Sequence, residues 1–505
     1  MPKPLIPLSV QSPGFMGLNT QNSGGVLPTG WATKLENFVY DNIGRLASRK
    51  GYQNVNASAI SGTPTIQSQH EYIDASGNSL HIFAAGNKIF KNVGGTITDI
   101  SGTITTPTAD NWQFANFNGS CVGYQEGHNP IVLTTVAGSF ADAGGTMYDG
   151  NMVLSAGGRT WTVFNNTLYY SDLLIHNYTG GSSGSFDLSL YWPNGMDEAV
   201  ALAEFNGFLV VFGKESIIIY ANFDDPASSM SIVEGIDGIG CIARDSVQNI
   251  GKRLLFLSST GVRSLGRVIQ EKSTPLGDVS QHVRDAVLDA ATNETSEIKS
   301  VYNRVDWFYL LSFPSRGVSY YFDLKFPNQD QTLKATTWAL APYSLLYTDS
   351  LDMYMGFDDG FINIYQGYSD NKSYDSTAST EYSVDYEGVW NDFGDQVSSL
   401  IKIPKKGSVL AAGVQGGILT LKWAFDYMDQ WSQKSLQFND VTTSQYGISQ
   451  YGIDTYSGSI EFERVQGPLS KSGQVMKLGL QAPVKDTQFA LQRIDVLAKI
   501  GRIGI

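Results

Sequence analysis

The stretch Val200–Phe223, VALAEFNGFLVVFGKESIIIYANF, decides the fold. It contains a half-apolar run, a second and more hydrophobic run, and a third run, and tight turns separate them. The first turn carries Asn206-Gly207, and these are the residue types that tolerate the positive φ of a two-residue hairpin turn. The stretch therefore predicts three short antiparallel strands joined by tight turns.

The same unit recurs along the chain. Its other copies lie at Tyr72–Val93, Trp112–Thr135, Gly158–Asp172 (a partial copy), Ser246–Gly266, Ile298–Leu324 and Tyr343–Gly367. The first turns repeatedly carry Gly or Asn, at Gly77-Asn78, Asn118-Gly119, Asn165-Asn166 and Gly251. The middles of the units recur roughly every 40–55 residues, which is close to the period of propeller blades. A hairpin unit of this length cannot bury its faces alone, and radial stacking solves that problem.

We therefore expect a six- or seven-bladed β-propeller over residues 66–368. An irregular β-sandwich with accidental spacing is the alternative. The composition agrees with a mostly β chain, since 53 glycines, 26 tyrosines and 25 phenylalanines accompany only 16% charged residues. With 42% hydrophobic residues the chain can bury a core.

One segment breaks the strand pattern. In GDVSQHVRDAVLDAATNETSE, from Gly277, the side chains of Val279, Val283 and Val287 recur at helical spacing. This predicts a short amphipathic helix at about residues 278–291, with Asp278 or Ser280 as its N-terminal cap.

The two ends of the chain lie outside the repeats. Residues 1–65 are expected to form a platform segment together with a C-terminal β domain, residues 384–505, and the polar stretch 369–383 reads as a linker. The strand candidates of this domain are Leu400–Ile403, Val409–Ala412, Ile418–Trp423, Ser459–Arg464, Gln474–Gln481 and Ala490–Ala498. Residues 427–457 are expected to form a long loop with SQYGI repeated at Ser444 and Ser449, either without a special role or as an intersubunit contact.

No arrangement of residues in the sequence predicts a catalytic, cofactor-binding or metal site. Cys121 and Cys241 lie in apolar runs, as buried thiols do. The five histidines have no metal-ligand spacing, and no phosphate-binding loop or nucleophile elbow occurs. Because propellers often carry glycosidases, the acidic pairs Asp224-Asp225, Asp358-Asp359 and Asp392 with Asp395 are candidates, but each lies in a turn context that favours Asp for backbone capping.

The formal charge of −14 argues against a general grip on phosphate backbones. The N-terminal MPKPLIPLSVQS lacks signal-peptide features, and no apolar run is long enough to span a bilayer, so we expect synthesis in a cytosol and a soluble chain.

The first 55 residues carry a further pattern, a Trp-Ala-x-x-x-x-Asn segment and then Gly-Arg-Leu-x-x-Arg-x-Gly-Tyr. It resembles the N-terminal segment of tail nozzle proteins, the tail tubular protein B class of short-tailed, podovirus-like bacteriophages. The residues that carry the likeness are Gly14, Gly17, Leu18, Asn19, Trp31, Ala32, Asn37, Gly44, Arg45, Leu46, Arg49, Gly51 and Tyr52. The order of later pieces, from NNTLYYSDLLIHNYTGG to NRVDWFYLL, is similar as well.

The resemblance implies a propeller joined to a β-rich platform and a structural, non-enzymatic role in the virion tail. It implies a homo-hexameric ring beneath the adaptor ring and portal, with fibres or spikes and plug proteins nearby and a distal contact with the host envelope. Such a ring closes the tail and conducts double-stranded DNA during genome ejection without specific binding. The acidic loops between Asp349 and Asp385 are candidates for the wall of the channel. The alternative is a glycan-binding or glycan-cleaving propeller.

We further expect Arg45 and Arg49 to fix the N-terminal strand against the C-terminal domain, because the strands outside the repeats need partners.

Overall fold

The computed structural model describes residues 5–145, 147–193, 195–251, 253–266, 278–394, 397–413, 417–428, 430–438 and 462–501. The chain forms two compact units. We call residues 54–319 and 340–365 the propeller unit, and residues 1–53, 320–339 and 366–505 the terminal unit. Each is described by itself below.

The described part of the propeller unit contains seven groups of antiparallel strands, one for each predicted repeat. Six of them are separate small sheets, and the strands of the sixth repeat belong to a larger sheet. We number the seven groups blades 1 to 7 in chain order. Their strands are Ile66–Ile73, Ser79–Ala85, Lys88–Val93 and Thr96–Asp99 (blade 1); Gln113–Phe117, Ser120–Gln125, His128–Leu133 and Ala141–Asp142 (blade 2); Leu154–Ala156, Arg159–Phe164, Thr167–Tyr170 and Gly184–Asp187 (blade 3); Ala199–Phe205, Phe208–Gly213, Ser216–Ala221 and Ser231–Asp237 (blade 4); Gln248–Asn249, Leu254–Ser258 and Gly261–Ser264 (blade 5); Lys299–Asn303, Phe308–Phe313 and Val318–Asp323, which contains the boundary between the units (blade 6); and Ser344–Tyr347, Met353–Gly356 and Ile362–Tyr365 (blade 7).

The first strands of the blades form a closed ring. The first strands of blades 1 to 4 contact one another in sequence, as do those of blades 5 to 7. The 3-10 turn Arg244–Ser246, which precedes blade 5, contacts the first strands of blades 4 and 6. Ser344–Tyr347 of blade 7 contacts Ile66–Ile73 of blade 1, so the last blade meets the first. Radial closure removes the open faces that an isolated hairpin unit would expose. The prediction of a mostly β chain containing a six- or seven-bladed propeller is confirmed.

The turn chemistry explains why the repeats form hairpins. Asn206 and Gly207 have φ of 51° and 78°, and Asn118 and Gly119 have φ of 45° and 76°, as a two-residue hairpin turn requires. Blade 3 differs from the prediction in one respect. Its Asn165-Asn166 pair joins the second and third strands, because the first strand, Leu154–Ala156, lies before the partial copy that the sequence shows.

The core lies between the blades. Between blades 3 and 4, Trp161, Leu168, Leu209 and Ile218 are fully buried in one apolar cluster, and similar clusters join blade 1 to blade 2 and blade 4 to blade 5. Successive side chains of a strand point to opposite faces, so each blade packs against both of its neighbours. Truncation of such a large core side chain to Ala costs about 3–5 kcal/mol.

The structure places the start of the propeller unit at residue 54 and not at residue 66. The amide of Val55 donates to the Ile362 carbonyl at 2.8 Å, and the side chain of Asn56, only 1% exposed, accepts from the Ile362 amide at 2.9 Å. Residues 54–56 therefore extend blade 7, whose own segment supplies three strands. This pairing spans about 300 residues of sequence, and no local pattern signals it.

Residues 320–339, which the sequence assigns to the propeller, belong to the terminal unit. The strand Lys334–Trp338 pairs in parallel with Lys34–Glu36. The Thr337 hydroxyl donates to the Leu35 carbonyl at 3.0 Å. A parallel partner so distant in the chain cannot be read from the spacing of repeats.

The helix is shorter than predicted. It spans Arg284–Thr292, follows Val283, and has no side-chain cap at its start. Asp278 is fully buried and accepts hydrogen bonds from the amide and hydroxyl of Ser280, at 2.7 and 2.6 Å. The Ser280 hydroxyl in turn accepts from the Val262 amide at 2.9 Å. The predicted caps therefore hold a turn against blade 5 and do not begin the helix.

The terminal unit contains two larger sheets drawn from all three of its chain segments. In the first, the order is Phe462–Pro468, Ile401–Ala412, Ala490–Gly501, Leu46–Ser48 and Phe38–Tyr40, and Ile6–Val10 also pairs with Ala490–Gly501. In the second, the order within this unit is Lys334–Trp338, Lys34–Glu36, Tyr382–Asn391, Met476–Val484, Ile418–Phe425 and Ser432–Gln437. No helix in the described ranges is long and apolar enough to cross a membrane.

The strand predictions for this unit need three corrections. Leu400–Ile403 and Val409–Ala412 are parts of one strand, Ile401–Ala412, which continues through a register shift at Pro404/Lys406. Ser432–Gln437, within the predicted loop, pairs with Ile418–Phe425. The predicted linker is folded, because Asp370 and Thr380 form a β-bridge and Tyr382–Asn391 begins inside it. Both SQYGI copies lie outside the described residues.

Candidate functional site

A buried ion pair holds the N-terminal segment inside the terminal unit. Arg49 is fully buried, and its two terminal nitrogens donate to the two carboxylate oxygens of Asp370 at 2.8 and 2.6 Å. Its Nε donates to Asn37 Oδ1 at 2.9 Å, and its guanidinium carbon lies 4.1 Å from the centre of the Tyr382 ring. The Tyr382 hydroxyl donates to the Arg49 carbonyl. We call Arg49, Asp370, Asn37 and Tyr382 the arginine clamp.

Asn37 extends the clamp to a third chain segment. Its Oδ1 also accepts from the Ala339 amide at 3.0 Å, and its Nδ2 donates to the Ser383 carbonyl at 2.8 Å. Asn37 has a φ of 62°, and Asn tolerates this left-handed conformation better than most residues. The clamp therefore joins residues 1–53, 320–339 and 366–505, and the side-chain amide of Asn37 bonds to all three.

Arg45 has a more local role. Its Nε donates to Asp41 Oδ2 at 2.8 Å, and the other oxygen of Asp41 accepts from the Arg45 amide at 2.9 Å, which closes a tight turn. The guanidinium carbon lies 4.8 Å from the centre of the Phe462 ring. Arg45 thus contacts the predicted C-terminal domain through Phe462, whereas Asp370 and Tyr382, the partners of Arg49, lie in the stretch predicted as a linker.

The propeller unit contains a polar cavity where its inner strands begin. The cavity has a volume of about 200 Å³, and six of the seven blades or the turns before them line it. We call it the axial cavity. Its lining includes Gln69, Trp112, Arg244, Asp245, Gln248, Lys299 and Ser300.

A charged cluster forms one wall of the axial cavity. Asp245 accepts from Arg244 at 2.9 Å through each carboxylate oxygen and from Lys299 Nζ at 2.6 Å. Arg244 also donates to the side-chain oxygens of Asn151 and Asn111, at 2.6 and 2.9 Å. Buried charges of this kind are stable only when paired and hydrogen-bonded.

The three charged groups of this cluster have shifted pKa values. Burial alone would raise the pKa of Asp245, but Arg244 and Lys299 together hold that pKa well below its usual range. Burial lowers the pKa of Lys299, and the attraction of Asp245 does not fully offset it. Burial by itself would lower the pKa of Arg244, but the attraction of Asp245 outweighs burial and raises that pKa. One carboxylate is therefore shared between two cations.

Two of the acids proposed from sequence cap turns. The carboxylate of Asp359 accepts from the Phe361 amide at 2.9 Å, and that of Asp392 accepts from the Gly394 amide at 3.1 Å. Burial raises the pKa of Asp359. Asp395, the proposed partner of Asp392, lies outside the described residues.

The thiols and several of the imidazoles are enclosed. Cys121 and Cys241 are fully buried and unpaired by disulfide, and burial raises the pKa of the Cys241 thiol to about 11. Burial lowers the pKa of His81 to about 3, helped by nearby His70, and that of His176 to about 4. Across the described ranges no three His, Cys, Asp or Glu side chains are grouped as metal ligands.

Sequence reasoning missed the axial cluster. Arg244 and Asp245 are adjacent, but Lys299 lies 54 residues further along, at the start of another blade. The packing of neighbouring blades brings them together, so no spacing rule could have found them.

Comparisons with known proteins find no matching family model and no matching curated protein. Among solved structures, the extracellular domain of a one-component system from B. thetaiotaomicron has a TM-score of 0.41 at 10% identity. The alignment covers 88% of this chain, which spans only 61% of that neighbour.

The WD40 domain of Neurospora crassa Pan2 has a TM-score of 0.38 at 8% identity, with 63% of this chain and 96% of that one covered. BamB from Moraxella catarrhalis has a TM-score of 0.34 at 9% identity, with 66% and 93% covered. Scores this low carry no argument about function.

Proposed function

We propose that the chain is a structural protein of a bacteriophage tail, the distal tube or nozzle of a short-tailed phage. The observation that carries the proposal is the place of the segment with the family pattern. Asn37 and Arg49 form the arginine clamp, and Lys34–Glu36 and Leu46–Ser48 pair within the two sheets of the terminal unit. The residues that carry the pattern hold the terminal unit together, which supports the proposed role as a platform.

The chemistry of the clamp supports a structural role. Each polar group described in it is bonded to protein, and Arg49 is fully buried. A catalytic or binding group must reach a ligand. The guanidinium of Arg49 cannot do so, because it is buried and bonded to protein. Asp359 and Asp392, two of the acids considered for a glycosidase pair, cap turns, which favours a protein without hydrolase activity.

The proposed partners follow from the resemblance. The chain assembles as a homo-hexameric ring beneath the adaptor ring and portal, near fibres or spikes and plug proteins, and faces the host envelope at its distal end. It is made in the bacterial cytoplasm and resides in the virion tail. A formal charge of −14 per chain suits a conduit through which double-stranded DNA slides without binding.

Electron microscopy of the purified particle, with this chain carrying a gold-binding tag, tests the proposal. We expect label at the distal end of the tail, below the portal. Label on fibres only, on the capsid, or absent from particles that contain all other tail proteins would contradict it. A tag at a propeller turn, Gly77-Asn78, avoids the terminal unit and serves as the labelling site.

A further inference from the structure

The axial cavity has more positive than negative charge on its wall. Arg244 and Lys299 are 7% and 6% exposed, and the carboxylate of Asp245 is the one acidic group among the lining residues. Glu297 is exposed and acts on both cations from outside the lining. In surroundings that exclude most water, an excess of one positive charge attracts a negative group strongly.

The cavity also offers an unused hydrogen-bond donor. An ammonium group has three protons, and Lys299 Nζ donates to Asn111 Oδ1 at 2.5 Å and to Asp245 Oδ2 at 2.6 Å, which leaves one.

The remaining wall is polar and neutral. The amides of Gln69 and Gln248 donate to Ser344 and Ser300, so their orientations are held. A preorganised set of amides and hydroxyls around two cations recognises oxygen atoms that carry negative charge. A volume of about 200 Å³ limits the guest to a small group.

We propose that the axial cavity of the propeller unit binds a small oxyanion with a single negative charge, of the carboxylate class. The carboxylate accepts from Lys299, adds the second negative charge that the two cations lack, and is surrounded by fixed amides and hydroxyls. This site is independent of the proposed role in a tail, since it lies wholly within the propeller unit.

Thermal unfolding of the full chain in sodium acetate or inorganic phosphate tests the proposal, with chloride keeping the ionic strength constant. We expect acetate to raise the midpoint of unfolding saturably, as a ligand of the folded state does, beyond any effect of chloride. Phosphate as the better ligand would assign a phosphate-type anion in place of a carboxylate. The same midpoint in all three salts would overturn the proposal without the need for any variant.

Two variants act in opposite directions on the anion. Lys299→Met keeps the Arg244–Asp245 pair and removes one positive charge, so the apparent affinity for acetate should fall by about tenfold or more. Asp245→Asn removes the carboxylate that competes with the bound anion for Arg244 and Lys299, so the affinity for acetate should increase. Lys214→Met is the matched control, because Lys214 is an exposed lysine of the same unit paired with Glu198. Equal acetate effects in wild type and Lys299→Met would show ordinary salt stabilisation and refute the site.

Discussion

Arg49 and Asp370 form a bidentate ion pair, with N–O distances of 2.8 and 2.6 Å, between residues 321 positions apart in the chain. The guanidinium is fully buried, whereas 15% of the Asp370 side chain is exposed. Two parallel N–H···O bonds fix the relative orientation of the two groups as well as their separation. The pair sets where the N-terminal segment lies in the terminal unit.

Asp370→Asn should destabilise the terminal unit by about 3–5 kcal/mol, because it leaves the buried guanidinium without its counter-charge. Chemical denaturation, followed by probes specific to each unit, measures the effect. Arg464→Gln is the control, since Arg464 is 53% exposed and its partner Asp495 also pairs with Arg493, so the expected change is below about 1 kcal/mol. Equal changes in the two variants would contradict the importance of the clamp.

Removal of residues 1–50 should unfold the terminal unit and prevent assembly. The deletion takes away Lys34–Glu36, which pairs with strands on both sides, as well as two of the three strands that pair with Ala490–Gly501. Circular dichroism, proteolysis and sedimentation measure the result. Deletion of residues 1–10 removes only a strand that pairs on one side and should have a smaller effect. Unchanged thermal stability of the longer deletion would be inconsistent with this framework.

The propeller unit should lose stability as the pH falls from 7 to about 4. The folded-state pKa of His81 is lowered to about 3 and that of His176 to about 4. In the folded chain both imidazoles are therefore mostly neutral down to about pH 5, whereas the unfolded chain takes up protons below about pH 6.5. At acid pH the unfolded state therefore binds more protons than the folded state, so the free energy of unfolding decreases as the pH falls.

The expected loss from His81 alone is about 2–3 kcal/mol between pH 7 and 4.5. Urea denaturation at several pH values measures the slope for wild type and His81→Gln. A smaller slope in the variant is expected. An identical slope would exclude His81 as a contributor.

The chain should show no glycosidase activity. Asp359 and Asp392 accept turn amides, as capping residues do. Release of reducing sugar from host surface glycans is the assay, with Asp358→Asn and Asp392→Asn as the test variants. Activity in wild type that either substitution abolishes would replace the structural proposal with the enzymatic one.

Duplex DNA should bind the assembled protein no more tightly than about 10⁻⁵ M at physiological salt. Each phosphate that Lys or Arg neutralises adds affinity, and this chain has 34 basic against 48 acidic residues. Fluorescence anisotropy with a labelled duplex measures the affinity. A much tighter complex would point to a wall lined by basic residues.

The sequence determined the local structure of the propeller. Asn206-Gly207 and the alternating apolar runs around it specify a hairpin by turn chemistry and by burial of one face, and both act over a few residues. Because the hairpin recurs, the repeat itself indicated radial stacking.

Only the tertiary structure decided where the unit begins and which segments share a sheet. Val55 donates to Ile362 of blade 7, Lys334–Trp338 pairs with Lys34–Glu36, and Lys299 of blade 6 donates to Asp245. Such pairings depend on backbone groups that every residue has, or on side chains that the packing of neighbouring blades brings together. Their free energy arises when distant segments meet, and a local pattern of residues does not encode that meeting.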